Sequence, residues 1–245
     1  MLALRTTFWW AVFIPVTSLF SLLAVAAGSF DRSGDLSHAL NRIWARITVA
    51  ASGCRIDIKG LELLSRDSGQ IIAANHQSAF DIYILTAALP LQIRWIAKEE
   101  LFRIPLMGRG MRASGYLCIN REKPRQAVKI LRKAAETVRS GRSVIIFPEG
   151  ERTPDGELGE FTRGLLRIVK KSGAPVCPLT IDGTFEMMPR SSFLLRKGDV
   201  KITVAPPLFY RDIKGKPEEE VLEAVRGAIA ARLGKPSPTG RKVSL

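Results

Sequence analysis

The sequence predicts an α/β domain preceded by a membrane-associated helical segment, and three observations predict it. After Ser52, short β-branched runs alternate with longer stretches of helical periodicity, the pattern of strands joined by crossover helices. Residues 6–30 carry no charge; as a helix they would reach about 37 Å, against a hydrocarbon core of about 30 Å. The composition of the 245-residue chain, 46% hydrophobic and 24% charged, is globular and excludes disorder and collagen-like repeats. No internal repeat or linker rich in Pro, Gly or Ser divides it. The expected organisation is residues 1–52 as membrane-associated helices, 53–234 as one domain and 235–245 as a polar tail.

The first segment enters a membrane as a span or, because Pro15 and scattered Ser, Thr and Gly interrupt it, as a kinked or re-entrant hairpin in one leaflet. A cleavable leader is the competing reading, since Arg5 precedes the apolar run and Ala24-Val25-Ala26 suits a small-x-small cleavage site. Its excessive apolar length and the unpaired cysteines that follow oppose that reading. Arg32, Arg42 and Arg46 follow the segment and only Arg5 precedes it, which places the bulk of the chain on the cytoplasmic side. Leu36, Leu40, Ile43, Trp44 and Ile47 then form the stripe of an amphipathic helix, opposite Asn41, Arg42 and Arg46. A helix in the headgroup layer and a helix facing a core give this same stripe.

Strands are expected at residues 55–60, 70–75, 93–98, 115–120, 143–148 and 175–181, with a further one at 199–205. Helical patterns cover 78–89, 124–140 and 161–173. A last helix runs over 217–234, where Pro217 suits the first turn and Gly234 a stop.

With 37 Lys and Arg against 23 Asp and Glu, the net charge of +14 implies an anionic partner: phosphate, nucleic acid or a lipid headgroup. The three cysteines, Cys54, Cys118 and Cys177, are too far apart for a disulfide framework, a zinc ribbon or an iron–sulfur cluster, and fit a reducing compartment. No G-x-S-x-G elbow, P-loop or H-E-x-x-H occurs. Gly108 to Ala113 matches G-x-G-x-x-A, but it follows a proline and would put two arginines in the loop, which argues against a dinucleotide site.

An imidazole base has to be one of two histidines. His38 lies in the amphipathic segment and reads as a surface residue. His76 follows the apolar strand in a strand-to-helix turn, where α/β sheets hold their ligands. Asp81, five residues on, would stand about 140° away on a common helix. With His76 in the turn and Asp81 in the helix's first turn, the carboxylate reaches back to one ring nitrogen and leaves the other as a general base. Ser78 and Asp81 also form an S-x-x-D capping box, which explains Asp81 without catalysis. A second cluster, after the strand at Val144 to Phe147, runs into Pro148-Glu149-Gly150 and Arg152, and Arg121 ends another strand. Two arginines at strand ends suit a phosphate.

Taken together these residues resemble the lysophosphatidic acid (1-acylglycerol-3-phosphate) acyltransferase family. Asn75-His76-Gln77-Ser78-Ala79-Phe80-Asp81 is similar to its NHxSxxD block, with the HX4D spacing, and Gly115 to Arg121 to GxxxIxR. Phe147-Pro148-Glu149-Gly150-Glu151-Arg152 is similar to FPEGTR, and Ala174 to Leu179 to VPVxPV. Lys98-Glu99-Glu100-Leu101 and Ile104 to Gly108 stand where the family has KxEL and a Pro-x-x-G element. The resemblance implies a mixed, mostly parallel sheet flanked by helices, like that of glycerol-phosphate acyltransferases, with 53–234 as the acyltransferase domain. It implies His76 as base, oriented by Asp81, removing the proton from the acceptor hydroxyl as it attacks the thioester of acyl-CoA or acyl carrier protein. Arg121, Glu149, Gly150 and Arg152 would hold the acceptor, with the two arginines facing its phosphate; Lys98 would be a further substrate-binding residue, and Pro178 would help shape the donor site. The implied partners are lysophosphatidic acid or a related lysolipid, the acyl donor and membrane phospholipids, with no nucleic acid, no cofactor and no metal.

Glu151 departs from the Thr of FPEGTR, Thr153 stands two positions late, and Arg163 replaces a common Lys. A carboxylate beside a phosphate site leaves room for another headgroup, such as a lyso-ornithine lipid. A non-catalytic protein binding anionic membranes or nucleic acid would explain the charge and the amphipathic stripe, but not the four blocks.

Overall fold

Among the described residues seven strands form one sheet in the order β1-β7-β6-β2-β5-β3-β4; they are β1 Arg55–Lys59, β2 Ile71–Ala74, β3 Ile93–Lys98, β4 Leu117–Ile119, β5 Ser143–Ile146, β6 Val176–Asp182 and β7 Asp199–Val204. Only β6 and β7 pair antiparallel, so the sheet is mixed and mostly parallel, as expected. This computed structural model describes residues 1–120 and 122–234; the expected polar tail, 235–245, and Arg121 lie outside the described residues.

The central strand β2 is apolar throughout because both of its faces are covered. Its alternation sends Ile72 and Ala74 into one core, with Trp9, Phe80, Ile84 and Trp95. Ile71 and Ala73 enter the other, with Leu131, Leu165, Ile168 and Val225. Helix α3 (Phe80–Ala88) covers the first face, and α6 (Pro124–Arg139), α7 (Gly164–Ser172) and α10 (Glu218–Ala230) cover the second. Short helices α4 (Glu99–Arg103), α5 (Met107–Ala113), α8 (Thr184–Met187) and α9 (Tyr210–Ile213) fill the connections. α10 starts after Pro217 as expected but stops at Ala230, before Gly234.

The neighbouring strands β2 and β5 send their following helices, α3 and α7, to opposite faces of the sheet. That divergence opens a crevice at the carboxyl ends of the two strands, which is where ligands of open α/β sheets bind.

The N-terminal segment forms α1 (Leu2–Phe30), which runs unbroken through Pro15, and α2 (Asp35–Ser52). They are antiparallel. Arg5 Nη1 donates to Ser52 O at 2.9 Å, Trp9 Nε1 to Thr48 O at 3.0 Å and Ser37 Oγ to Ala24 O at 2.8 Å. α1 is long and apolar enough to cross a membrane by length and composition, yet it touches the domain at both ends. Trp9 packs on Phe80 near one end, and near the other a Cβ on Gly28 would stand 2.9 Å from Ala113 Cβ, so only glycine admits that approach. Asp35, at the start of α2, accepts from Arg94 Nη2 at 2.5 Å and from Arg142 Nε and Nη2, each at 2.8 Å, which clamps the α1–α2 turn to the sheet.

Part of the expected apolar stripe of α2 faces outward, while its Trp44 turns in against Phe13 and Tyr83. Leu36, Ile43 and Ile47 are exposed, whereas Ser37, His38, Ala45, Thr48 and Val49 are buried. His38 is therefore not the surface residue its sequence context suggests. Its Nδ1 bonds to Tyr116 Oη at 3.0 Å and its Nε2 to Leu91 O at 3.2 Å, and burial pushes its pKa down to about 3. Ser37, His38, Ala45 and Thr48 on this face allow close packing with hydrogen bonds to α1 and to Leu91.

Candidate active site

Asn75 extends β2 by a side chain. Its Nδ2 donates to Ile181 O at 2.8 Å and its Oδ1 accepts from the Ile181 amide at 2.7 Å, a pairing that fixes the strand end where His76 begins the turn. The His76 backbone is then held from the segment after β5: its amide donates to Glu149 Oε1 at 2.7 Å, and its carbonyl accepts from the Thr153 amide at 2.8 Å. Glu149 Oε2 accepts from the Gly159 amide at 2.8 Å. Burial raises the Glu149 pKa against those two amide bonds, and both oxygens of this expected acceptor-binding residue are engaged by backbone.

The His76 ring stacks on Phe147, with centroids 3.8 Å apart and planes 6° apart. Its Nδ1 lies 2.7 Å from Oδ2 of Asp81, which is fully buried in the first turn of α3. That oxygen also accepts from the Gln77 and Ser78 amides, each at 2.8 Å, and Oδ1 accepts from Thr184 Oγ1 at 2.5 Å. A carboxylate only accepts, so Nδ1 carries the proton in the neutral ring and Nε2 presents a lone pair. The bond to Ser78 N is half of the capping box. The other half is rewired, with Ser78 Oγ accepting from the Phe80 amide at 3.1 Å and donating to Met188 O at 2.6 Å. Cap and histidine partner thus coexist in one side chain.

His76 opens on a cavity of about 830 Å³. One limb is apolar, between α1, α3 and α5, with Phe13, Phe20, Tyr83 and Met111 among its walls; the other, between α6 and α7, carries Arg163 and Arg167. Lys98, Gly150, Glu151 and Arg152 line the same cavity. Gly150, at φ 86°, makes the turn that brings this cluster over the strand ends. Lys98 Nζ lies 3.4 Å from Glu151 Oε1, and Arg163 pairs with Glu218 and Glu219 at 3.6 and 3.0 Å.

The structure therefore brings His76, Asp81, Lys98, Glu149, Gly150 and Arg152 together. Pro178 is not in the cavity wall: it is buried within β6, paired with Ala73, and its carbonyl accepts from the Ala205 amide. Thr184 and Arg190 belong to the cluster without having been singled out in the sequence, and Phe147, quoted there only as part of its block, stacks on the His76 ring. Thr184 and Arg190 carry no local signal, because their partners are distant along the chain.

Residues 55–182 match the family model described as Acyltransferase. The chain is 38% identical over 183 residues to the chloroplastic 1-acyl-sn-glycerol-3-phosphate acyltransferase BAT2 of Brassica napus, covering 74% of this chain and 53% of the relative. To the 1-acyl-sn-glycerol-3-phosphate acyltransferase of Borreliella burgdorferi it is 30% identical over 200 residues, covering 81% and 79%. It spans about half the length of the chloroplast relatives BAT2 and LPAT1 (53% and 48%). The crystal structure of the 1-acyl-sn-glycerophosphate acyltransferase PlsC from Thermotoga maritima superposes with a TM-score of 0.78 over 94% of each chain, at 24% identity, a likeness of fold.

Proposed function

Since the chain belongs to the acyltransferase family, among the 1-acyl-sn-glycerol-3-phosphate acyltransferases, we propose that it transfers an acyl group from acyl-CoA or acyl carrier protein to the sn-2 hydroxyl of lysophosphatidic acid. The product is phosphatidic acid. The observation that carries this reading is the His76–Asp81 pair at 2.7 Å, opening on a cavity with an apolar limb and a cationic rim.

His76 Nε2 takes the hydroxyl proton as that oxygen bonds to the thioester carbonyl carbon. The tetrahedral intermediate then collapses, the C–S bond breaks and the thiolate leaves with the proton from Nε2. Asp81, fixed by two amides and Thr184, holds the ring and stabilises its cation. Arg152 and Lys98 face the acceptor phosphate, Glu149 positions His76 through its backbone, and the apolar limb takes an acyl chain. Arg121 is proposed from the sequence as a second arginine on that phosphate.

The exposed faces of α1 and α2 seat the protein in the bilayer. Contact of both ends of α1 with the domain favours insertion into one leaflet over a crossing, with the domain on the cytoplasmic side and the positive charge drawn to anionic lipid.

The test is thiol release by the detergent-purified protein with palmitoyl-CoA, offering lysophosphatidic acid and lyso-ornithine lipid separately. Turnover with lysophosphatidic acid supports the reading; turnover with lyso-ornithine lipid alone keeps the chemistry and changes the acceptor. Arg152→Ala should raise the acceptor KM by about tenfold or more, the worth of a charge-assisted hydrogen bond. An effect confined to the donor KM would move Arg152 to the donor side.

A further inference from the structure

Residues 188–198 pass the rim of the cavity between α8 and β7. The segment is tied down at both ends. Met188 O accepts from Ser78 Oγ at 2.6 Å beside the catalytic turn; further on, Trp10 Nε1 donates to Phe193 O at 3.1 Å and the Leu195 amide to Thr6 Oγ1 at 3.0 Å. Between these ties Arg190 lines the cavity, and its Nη1 lies 2.8 Å from Glu151 Oε2. The other Glu151 oxygen faces Lys98 Nζ at 3.4 Å. A carboxylate therefore sits between two cations contributed by separate parts of the fold, on the rim that also carries Arg152. Lys98 and Arg190 hold its carboxyl below the usual range.

We infer that Arg190 is a further acceptor-binding residue, and that Glu151 occupies the place between Arg190 and Lys98 that the acceptor's phosphate takes on binding. The inference rests on the reading of lysophosphatidic acid as acceptor. Its physical basis is the contrast between two anions. The side chains of Glu151, Arg190 and Lys98 are 54%, 48% and 50% exposed, and exposed ion pairs shift an equilibrium by no more than about fivefold. A phosphate monoester carries about −1.5 to −2 charges and three strong acceptor oxygens, so it can engage the arginine fork and the lysine together. The carboxylate is the weaker occupant, and it keeps two cations from repelling one another while the site is free. The same segment exposes Phe193 (77%) and Leu194 (44%) next to Trp10 of α1, so an apolar tip and the Arg190 cation are offered at one rim to an amphiphile.

The experiment measures equilibrium binding of lysophosphatidic acid to the full chain in detergent micelles, together with steady-state kinetics in both substrates, for the parent protein, Arg190→Ala, Arg190→Lys and Glu151→Gln. Arg190→Ala should weaken lysophosphatidic acid binding and raise its KM by about tenfold or more, with the acyl-CoA KM and kcat nearly unchanged. Arg190→Lys should recover part of the loss, because it keeps the charge without the fork. Glu151→Gln should tighten lysophosphatidic acid binding by up to about fivefold. Binding and KM indifferent to Arg190 would overturn the inference. So would weaker lysophosphatidic acid binding in Glu151→Gln, which would make Glu151 a ligand and not a competitor of the acceptor. Arg190-dependent binding of lysophosphatidic acid by a protein that turns over only another lysolipid would overturn the proposed acceptor and with it Arg190 as an acceptor ligand, whereas turnover of lysophosphatidic acid that is indifferent to Arg190 would overturn this inference alone.

Discussion

His76→Ala is expected to lower kcat by about 10²–10⁴-fold, the range for removal of a positioned general base, with both KM values and membrane association little changed. The reason lies in how the residue is held. The turn is fixed through the His76 peptide groups, by Glu149 and Thr153, and not through its ring, so the variant keeps the local fold. It loses only the imidazole stacked on Phe147 and bonded to Asp81. Thiol release under saturating substrates measures the effect, and an unchanged melting temperature shows that the protein is still folded. Undiminished turnover in a folded variant would remove His76 from the mechanism.

Asp35→Ala should cost about 2 kcal/mol of stability, below the roughly 3–5 kcal/mol of a fully buried pair because the Asp35 side chain is 37% exposed, but above an exposed pair because it leaves a buried guanidinium without its anion. Arg94 is 1% exposed, and Asp35 is its anionic partner; Ser33 O and Ile93 O supply only carbonyl dipoles, each at 3.0 Å. Arg142 loses the same partner, and with both contacts goes the clamp between the α1–α2 turn and the sheet. An internal comparison comes from Asp199→Ala, which breaks a pair with side chains 80% and 55% exposed and should cost no more than about 1 kcal/mol. Urea unfolding of the two variants tests the contrast, and equal losses would show that the clamp carries no weight. Burial pushes the Asp35 carboxyl up, but hydrogen bonds from Arg142 and Arg94 outweigh it and leave the group below its ordinary value. Its contribution is therefore fully present above the unfolded-state pKa of an aspartate and is lost as pH falls through the lowered folded value. Because α1 and α2 wall the apolar limb, Asp35→Ala should also lower turnover.

The His76–Asp81 geometry was legible because it is local: a turn followed by the first turn of a helix leaves the carboxylate few places to go. The sheet was legible for a similar reason, since β2 and β5 are apolar on both faces and such strands belong inside parallel sheets. Glu149 was read from its block as an acceptor ligand, yet its oxygens are taken by the amides of His76 and Gly159, far along the chain in one case and ten residues on in the other. Thr184 completes the Asp81 shell from beyond β6.

What the sequence by itself determined are the strands and the long helices, their order and the residues whose partners lie within a turn or two, because periodicity and capping are short-range; the short helices α4, α5, α8 and α9 carry too few residues to show a period. Only the tertiary structure decided which face of α2 turns inward, that His38 is buried, that Thr184 supports Asp81 and that Arg190 meets Glu151. An apolar stripe reads the same whether lipid or protein covers it, since both are media without water. The partner of a buried polar group or of a rim cation is chosen by how distant segments pack, which no local pattern encodes.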